Sequence, residues 1–182
     1  MKTTASHNSG KLSYLKNNTP IFVRRILKFP YLFSLDVKHY LSNGFHSGIP
    51  APSKSRMEAG SYKAIGQEFF EYFKTYTKVG PDDKVLDVGC GYGRLSLPFR
   101  SYLSSTGEYH GFEIIDDRIE WATKNISSSH PNFYFKLVDV KNFIYSKNGV
   151  EAANFKFPYD DNFFDLVFLN SVFTHIDRKS VV

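Results

Sequence analysis

Cysteine is nearly absent: the 182-residue chain has one, Cys90. An intramolecular disulfide is therefore excluded, and no Cys/His spacing of a zinc site occurs. Such usage fits a reducing compartment. Long apolar runs are also lacking. The best stretch, Ile21 to Leu35, is interrupted by Arg24, Arg25, Lys28 and proline. It lies too far from Met1, and carries too much charge, to read as a secretory signal. A soluble, cytoplasmic protein is expected. Nor does the chain carry a P-loop G-K-[ST], a G-x-S-x-G nucleophile elbow, an H-E-x-x-H pair or an internal repeat. These absences remove the common phosphate-loop, serine-hydrolase and zinc-protease chemistries.

What is present is an ordinary globular composition, 42% apolar, in a chain long enough for one domain with a real core. The net charge of +5 is unevenly placed. Residues 1–56 hold nine Lys/Arg against one Asp, giving +8, whereas residues 57–182 hold fourteen against seventeen acids, giving −3. Residues 1–58 therefore read as a basic N-terminal extension and linker, and residues 59–182 as the domain proper. A basic arm can touch nucleic acid or an anionic membrane surface. The segment is either a solvated tail or, over Pro20–Tyr40 where basic and aromatic residues mix, a helix that packs on the body or lies on a membrane. Residues 20–45 show no clean apolar period. Gly44 to Pro52, with two glycines and two prolines, predicts a linker.

From Ser61 the pattern becomes regular. Ile65, Phe69, Phe70, Phe73 and Tyr76 recur at three- and four-residue steps, which predicts an amphipathic helix over Ser61–Thr77 capped by Ser61. After the break at Gly80–Asp83, Lys84–Val88 predicts a strand and Arg94–Tyr102 a helix. Glu108–Ile114 predicts a second strand. Asp116 or Asp117 is placed to cap the next helix, whose apolar positions are Ile119, Trp121, Ala122 and Ile126. Phe133–Val138 and Leu166–Asn170 complete the strands. This alternation argues for a parallel sheet with helices on both faces. The last strand, apolar at successive positions, reads as central rather than as an edge.

Chemistry concentrates in Val85-Leu86-Asp87-Val88-Gly89-Cys90-Gly91-Tyr92-Gly93-Arg94. A strand ends in an acid, and three glycines at alternate positions open a helix. Glycines permit a tight turn and let a ligand lie against bare backbone, and the helix start offers free amides. A dinucleotide fingerprint is G-x-G-x-x-G. Here the spacing is G-x-G-x-G followed by Arg94, and Asp87 would crowd a pyrophosphate. A negative group there suits a ligand carrying ammonium and sulfonium charge. Glu113, twenty residues after Gly93, stands at the end of the second strand.

These residues resemble motif I, D-x-G-x-G-x-G, of class I S-adenosylmethionine-dependent methyltransferases, and the later pieces follow in the family's order over residues 59–177. The resemblance implies an α/β, Rossmann-like parallel sheet and S-adenosyl-L-methionine as cofactor. It implies that Asp87, Gly89, Cys90, Gly91 and Gly93 form the cofactor loop and that Glu113 with Ile114 holds the ribose. Asp139 and Val140 would address the adenine. Asn170, in Phe164-Asp165-Leu166-Val167-Phe168-Leu169-Asn170-Ser171, would approach the methionine end and the acceptor. Each has a plainer alternative: a cap for Asp87, a strand-end charge for Glu113, a turn for Asp139, loop support for Asn170. His175 is either a general base on the acceptor side or structural. Tyr62 either covers the cofactor or packs, and Cys90 reads as a small buried residue.

The implied activity is methyl transfer to a small-molecule acceptor; the alternative is a non-catalytic, cofactor-binding or partner-dependent fragment. The absence of Asn/Asp-Pro-Pro-Tyr after the fourth strand disfavours amino methylation of nucleic acid. The chain stops at Val182, where family members usually continue with three more strands. A sequence truncated after the fourth strand, with the C-terminal part of the sheet missing, is therefore expected, as is self-association through the open edge.

Overall fold

The computed structural model describes residues 21–45, 47–142, 148–170 and 172. Helix α1 spans Ile21–Asn43, α2 Pro52–Ser55 and α3 Ala59–Thr77. Then β1 (Lys84–Val88), α4 (Ser96–Tyr102), β2 (Glu108–Glu113) and α5 (Asp116–Ala122) alternate. A π-helical turn, Thr123–Ser127, extends α5. Strand β3 (Phe133–Leu137), a 3-10 turn at Ala152–Asn154 and β4 (Leu166–Leu169) follow.

The four strands are all parallel, in the order β3-β2-β1-β4. The chain steps outward from β1 to β3 and then returns to the far side of β1. Open parallel sheets bind ligands beyond the strands' carboxyl ends at such a reversal. Right-handed crossovers put α4 and α5 on the same face. There Val85, Tyr109 and Phe133, in register across β1, β2 and β3, pack with Phe70 of α3, Phe99 of α4 and Ala122 and Ile126 from α5 and its extension. The return to β4 reverses the step, and its connection covers the opposite face. His110 and Phe112 there meet Phe157, Tyr159, Phe163 and Phe164. The fold is thus the expected Rossmann-like α/β arrangement. Helices α3, α4 and α5 line one face, and among the described residues an aromatic segment with a 3-10 turn lines the other.

Several local expectations change. Ile21–Asn43 form a helix although the apolar pattern there is blurred. Leu32 and Leu35 are half-buried and His39 buried, while Phe29 and Phe33 face outward. Gly44–Pro52 is not an exposed linker: residues 48–52 are buried. Arg100 of α4 donates to the Gly48 carbonyl at 3.1 Å, and the His39 ring lies 3.1 Å from the Ile49 carbonyl. A proline-rich segment suits that role, because it asks for few backbone partners.

Helix α3 starts at Ala59 with Glu58 before it and no side-chain cap, so Ser61 is not the cap. Its buried positions are Tyr62, Gly66 and Phe70, and Tyr76 is exposed. Helix α4 starts two residues later than expected, because Gly93–Leu97 is held by bonds that span three residues rather than four. Ser96 N donates to Gly93 O and Leu97 N to Arg94 O. Neither Asp116 nor Asp117 caps α5; both lie in its first turn, where they complement the helix dipole. Strand β4 lies at the edge of the described sheet with Val167 and Leu169 exposed, not at its centre.

Candidate functional site

Strand β1 delivers a chain to the carboxyl edge that must turn at once toward α4. Gly89, Gly91 and Gly93 all take positive φ, 80°, 57° and 75°, a region costly for side-chain-bearing residues. At Gly93 space is lacking too: a Cβ would meet Ile126 Cδ1 at 2.7 Å. The loop is tied to β2, since Gly89 N and Cys90 N both donate to the Phe112 carbonyl at 2.8 Å. From above, the Tyr62 hydroxyl of α3 donates to the Tyr92 carbonyl at 3.1 Å.

Glu113 closes the loop's other side. Its Oε2 accepts from Gly91 N at 3.1 Å and from the Arg118 guanidinium at 3.0 Å. Its Oε1 accepts from Ile114 N at 2.8 Å and Ile115 N at 3.2 Å. Those two amides open the turn into α5, so the carboxylate is oriented by backbone on both sides. Four bonds fill the acceptor capacity of a carboxylate. A vicinal diol binding here would replace the Arg118 contact, the one donor borne by a flexible, partly exposed side chain.

Asp87 lies beneath the loop rather than on its surface. It is 1% exposed, and Oδ2 accepts from the Tyr109 hydroxyl at 2.6 Å. Oδ1 is buried without a hydrogen-bond partner among the described residues. Burial pushes the carboxyl up to about 7; the Tyr109 bond and Arg94 oppose that rise and Glu113 adds to it. Burial also raises the Cys90 thiol well above its ordinary value, which makes it a poor nucleophile. A cationic ligand on this loop would be attracted by Asp87 through the backbone, without touching it.

On the rim, the Tyr92 hydroxyl donates to Asp117 at 2.6 Å, and Lys54 pairs with the same carboxylate at 2.8 Å. Burial, then the Asp117 bond, pushes the Tyr92 hydroxyl up to about 12. Asp139 stands two residues beyond β3 on the same sheet edge, exposed, and its carbonyl accepts from Val150 N at 2.9 Å. Val140 bridges to Val150. The β1–β4 register sets Leu169 opposite Val88, so Asn170 flanks Gly89. A Cβ on Gly89 would meet the Val172 side chain. All the expected cofactor residues therefore gather at one edge, with Asp87 below them. His175 lies outside the described residues.

Two participants escaped sequence reasoning. Tyr109 donates its hydroxyl to the buried Asp87 carboxylate, yet it reads simply as a strand aromatic. Gly111, in mid-β2, sits under the loop: a Cβ there would lie 2.8 Å from both Cys90 Sγ and Phe135 Cδ1. A glycine inside a strand is the usual sign of close approach, so this signal was available.

A family model described as "Methyltransferase domain" matches residues 80–182, more than half of the chain. Among solved structures, a protein of Pyrococcus horikoshii OT3 is 23% identical with a TM-score of 0.50, covering 71% of this chain and 52% of that one. It shares the fold. A protein of Methanococcus maripaludis, described as an S-adenosyl-L-methionine-dependent methyltransferase, is 16% identical with a TM-score of 0.48, over 66% and 48% of the two chains. PKMT2 from Rickettsia typhi, solved in complex with AdoHcy, is 22% identical with a TM-score of 0.44, over 65% and 21%. The chain spans about half the length of the first two.

Proposed function

Because the chain belongs to the methyltransferase-domain family, we propose that its glycine loop binds S-adenosylmethionine and that the protein it represents moves the methyl group to a small-molecule acceptor. The observation that carries this reading is the buried Glu113 carboxylate, fastened to the loop at Gly91 N and to the α5 turn at Ile114 N and Ile115 N. That geometry presents an oriented anionic acceptor beside bare backbone, which suits a ribose diol.

The residues fit such a ligand in other respects. Gly89 is exposed and Gly91 half-buried, so backbone is accessible to a methionine moiety. Asp87, with one oxygen unpartnered, supplies negative charge below the place where ammonium and sulfonium groups would lie. Asp139 and Val140 stand at the edge where an adenine would extend, and Asn170 flanks the methionine end. The bound cofactor supplies a methyl group already activated by its sulfonium. The chain's own task is to align the reactants and exclude water, worth roughly 7–11 kcal/mol of barrier when geometry is good.

Calorimetric titration of S-adenosylmethionine and S-adenosylhomocysteine into the purified chain tests this. Micromolar binding is expected, weakened by about 2–3 kcal/mol in Glu113→Ala through loss of charged hydrogen bonds. A folded chain that binds neither compound, or a Glu113→Ala variant that binds as the parent does, would defeat the assignment.

A further inference from the structure

Helix α1 turns an unusual surface outward. Phe29, Phe33, Val37 and Leu41 recur every four residues, which sets them in one stripe along the helix. They are 67%, 60%, 42% and 83% exposed. The Phe29 and Phe33 rings stack on each other at 6.2 Å, and no described residue packs over them. Tyr31 and, past the helix end, Phe45 extend the patch. The opposite side of α1 is already used. His39 meets Ile49 O, Asp36 Oδ1 accepts from Ser53 N at 3.0 Å, and Lys63 reaches Asn43 at 3.4 Å. The stripe is thus the free face of a docked helix, and contiguous exposed apolar surface of this kind marks a contact site.

The charge around the stripe selects the partner. The helix carries Arg24, Arg25, Lys28 and the exposed Lys38, and the segment before it adds Lys2, Lys11 and Lys16. Asp36, the only acid in residues 1–56, is held against the body by Ser53 N. A second copy brought to this face would set like positive charges against each other. An anionic lipid surface offers the opposite charge and a boundary where phenylalanine rings bury. No described helix is long and apolar enough to cross a bilayer, so α1 would lie along the surface. From these observations we infer that the outward stripe of α1 docks on an anionic membrane surface. This inference does not depend on the cofactor reading.

The test is co-sedimentation of the full chain with vesicles of phosphatidylcholine alone and of phosphatidylcholine mixed with phosphatidylglycerol, at low and high salt. Binding to the mixed vesicles, weakened by salt and by omission of phosphatidylglycerol, is expected. Phe29→Ser/Phe33→Ser/Leu41→Ser and, separately, Arg24→Glu/Arg25→Glu should each reduce it by about tenfold or more. The three serine positions are exposed, so unchanged thermal melting would certify the fold. Three results would overturn the inference. One is a serine variant that binds like the parent. Another is a parent that ignores anionic vesicles. The third is a dimer in light scattering that the serine variant splits while vesicle binding stays unaffected.

Discussion

On one face of the sheet, Val85, Tyr109 and Phe133 are at most 1% exposed beneath three helices. On the other, Phe112 is as deeply buried, but under a segment without regular structure, while Val167 of the edge strand remains 50% exposed. The first face is sealed by helices whose backbone groups satisfy one another. Among the described residues the second is covered by rings: Phe157, Tyr159, Phe163 and Phe164 grouped around His110 and Phe112. Stability should reside mainly in the helical face, and sensitivity to conditions in the aromatic one. The glycine loop is fastened to the former through Tyr62, Ser96 and Ile126, so its shape inherits that rigidity.

The sharpest test of the contrast is a pair of truncations. Phe99→Ala, at a position with no exposure, should cost about 3–5 kcal/mol through cavity formation. Phe163→Ala on the other face, half-buried, should cost about 1 kcal/mol. Denaturant unfolding of both variants measures the difference, and equal costs would remove the distinction.

Asp87 gives the next largest effect, with opposite sign. Its carboxyl is raised from its ordinary value of 3.8 to about 7, so the folded state holds a proton that the unfolded chain has released. Its contribution to stability is therefore full at low pH and lost as pH rises between those two values. Asp87→Asn, which can still accept from Tyr109, should stabilise the protein above pH 7 by an amount on the order of 3 kcal/mol. It should also weaken binding of a cationic ligand, with the parent binding better as pH rises through about 7. Melting curves across pH, run beside calorimetry, check both signs. A variant no more stable than its parent at pH 8 would show that Asp87 is not strained by burial.

A smaller effect tests how α3 holds the loop. Tyr62→Phe deletes one hydrogen bond to the Tyr92 carbonyl and should cost about 1 kcal/mol, with faster amide exchange across Gly89–Gly93 than elsewhere. Uniform exchange would mean that the glycine turn holds itself.

The aromatic face supplies the smallest. Burial lowers His110 below its ordinary 6.5, while the hydrogen bond and charge of Glu108 oppose that shift. Its ring also meets the Tyr159 hydroxyl at 2.9 Å. A histidine kept neutral by burial contributes stability that is lost as pH falls below 6.5. Near-ultraviolet circular dichroism should therefore loosen modestly between pH 7 and 5, and not in His110→Gln. An unchanged spectrum would place His110 among inert core residues.

Much of this architecture was readable in advance wherever local pattern and tertiary role coincide. The strands at Lys84–Val88 and Phe133–Leu137 are short apolar runs bounded by turns. The glycines at 89, 91 and 93 announce a backbone that only glycine adopts cheaply. Glu113 was recognisable from its distance to that loop. The expected gathering of Asp139, Val140 and Asn170 at the same edge follows from strand order, which for parallel crossovers has few alternatives. Reading failed where a residue's role depends on something distant in sequence. The proline-rich stretch 48–52 looks like a linker until Arg100, half the domain away, is seen to hold it. Ser61 and Asp117 look like caps, but helix starts depend on the chain before them, and Asp117 is taken by Lys54 and Tyr92.

The sequence by itself determined the order of strands and helices, the glycine turn and the acid that faces it, because each rests on interactions within a few residues or on glycine's freedom of φ. Tertiary structure alone decided that Asp87 lies under the loop with Tyr109 as its partner, that among the described residues aromatic rings cover the second sheet face, and that α1 presents its aromatics outward. Burial and long-range pairing set these outcomes, and both depend on which surfaces meet after the chain has closed on itself.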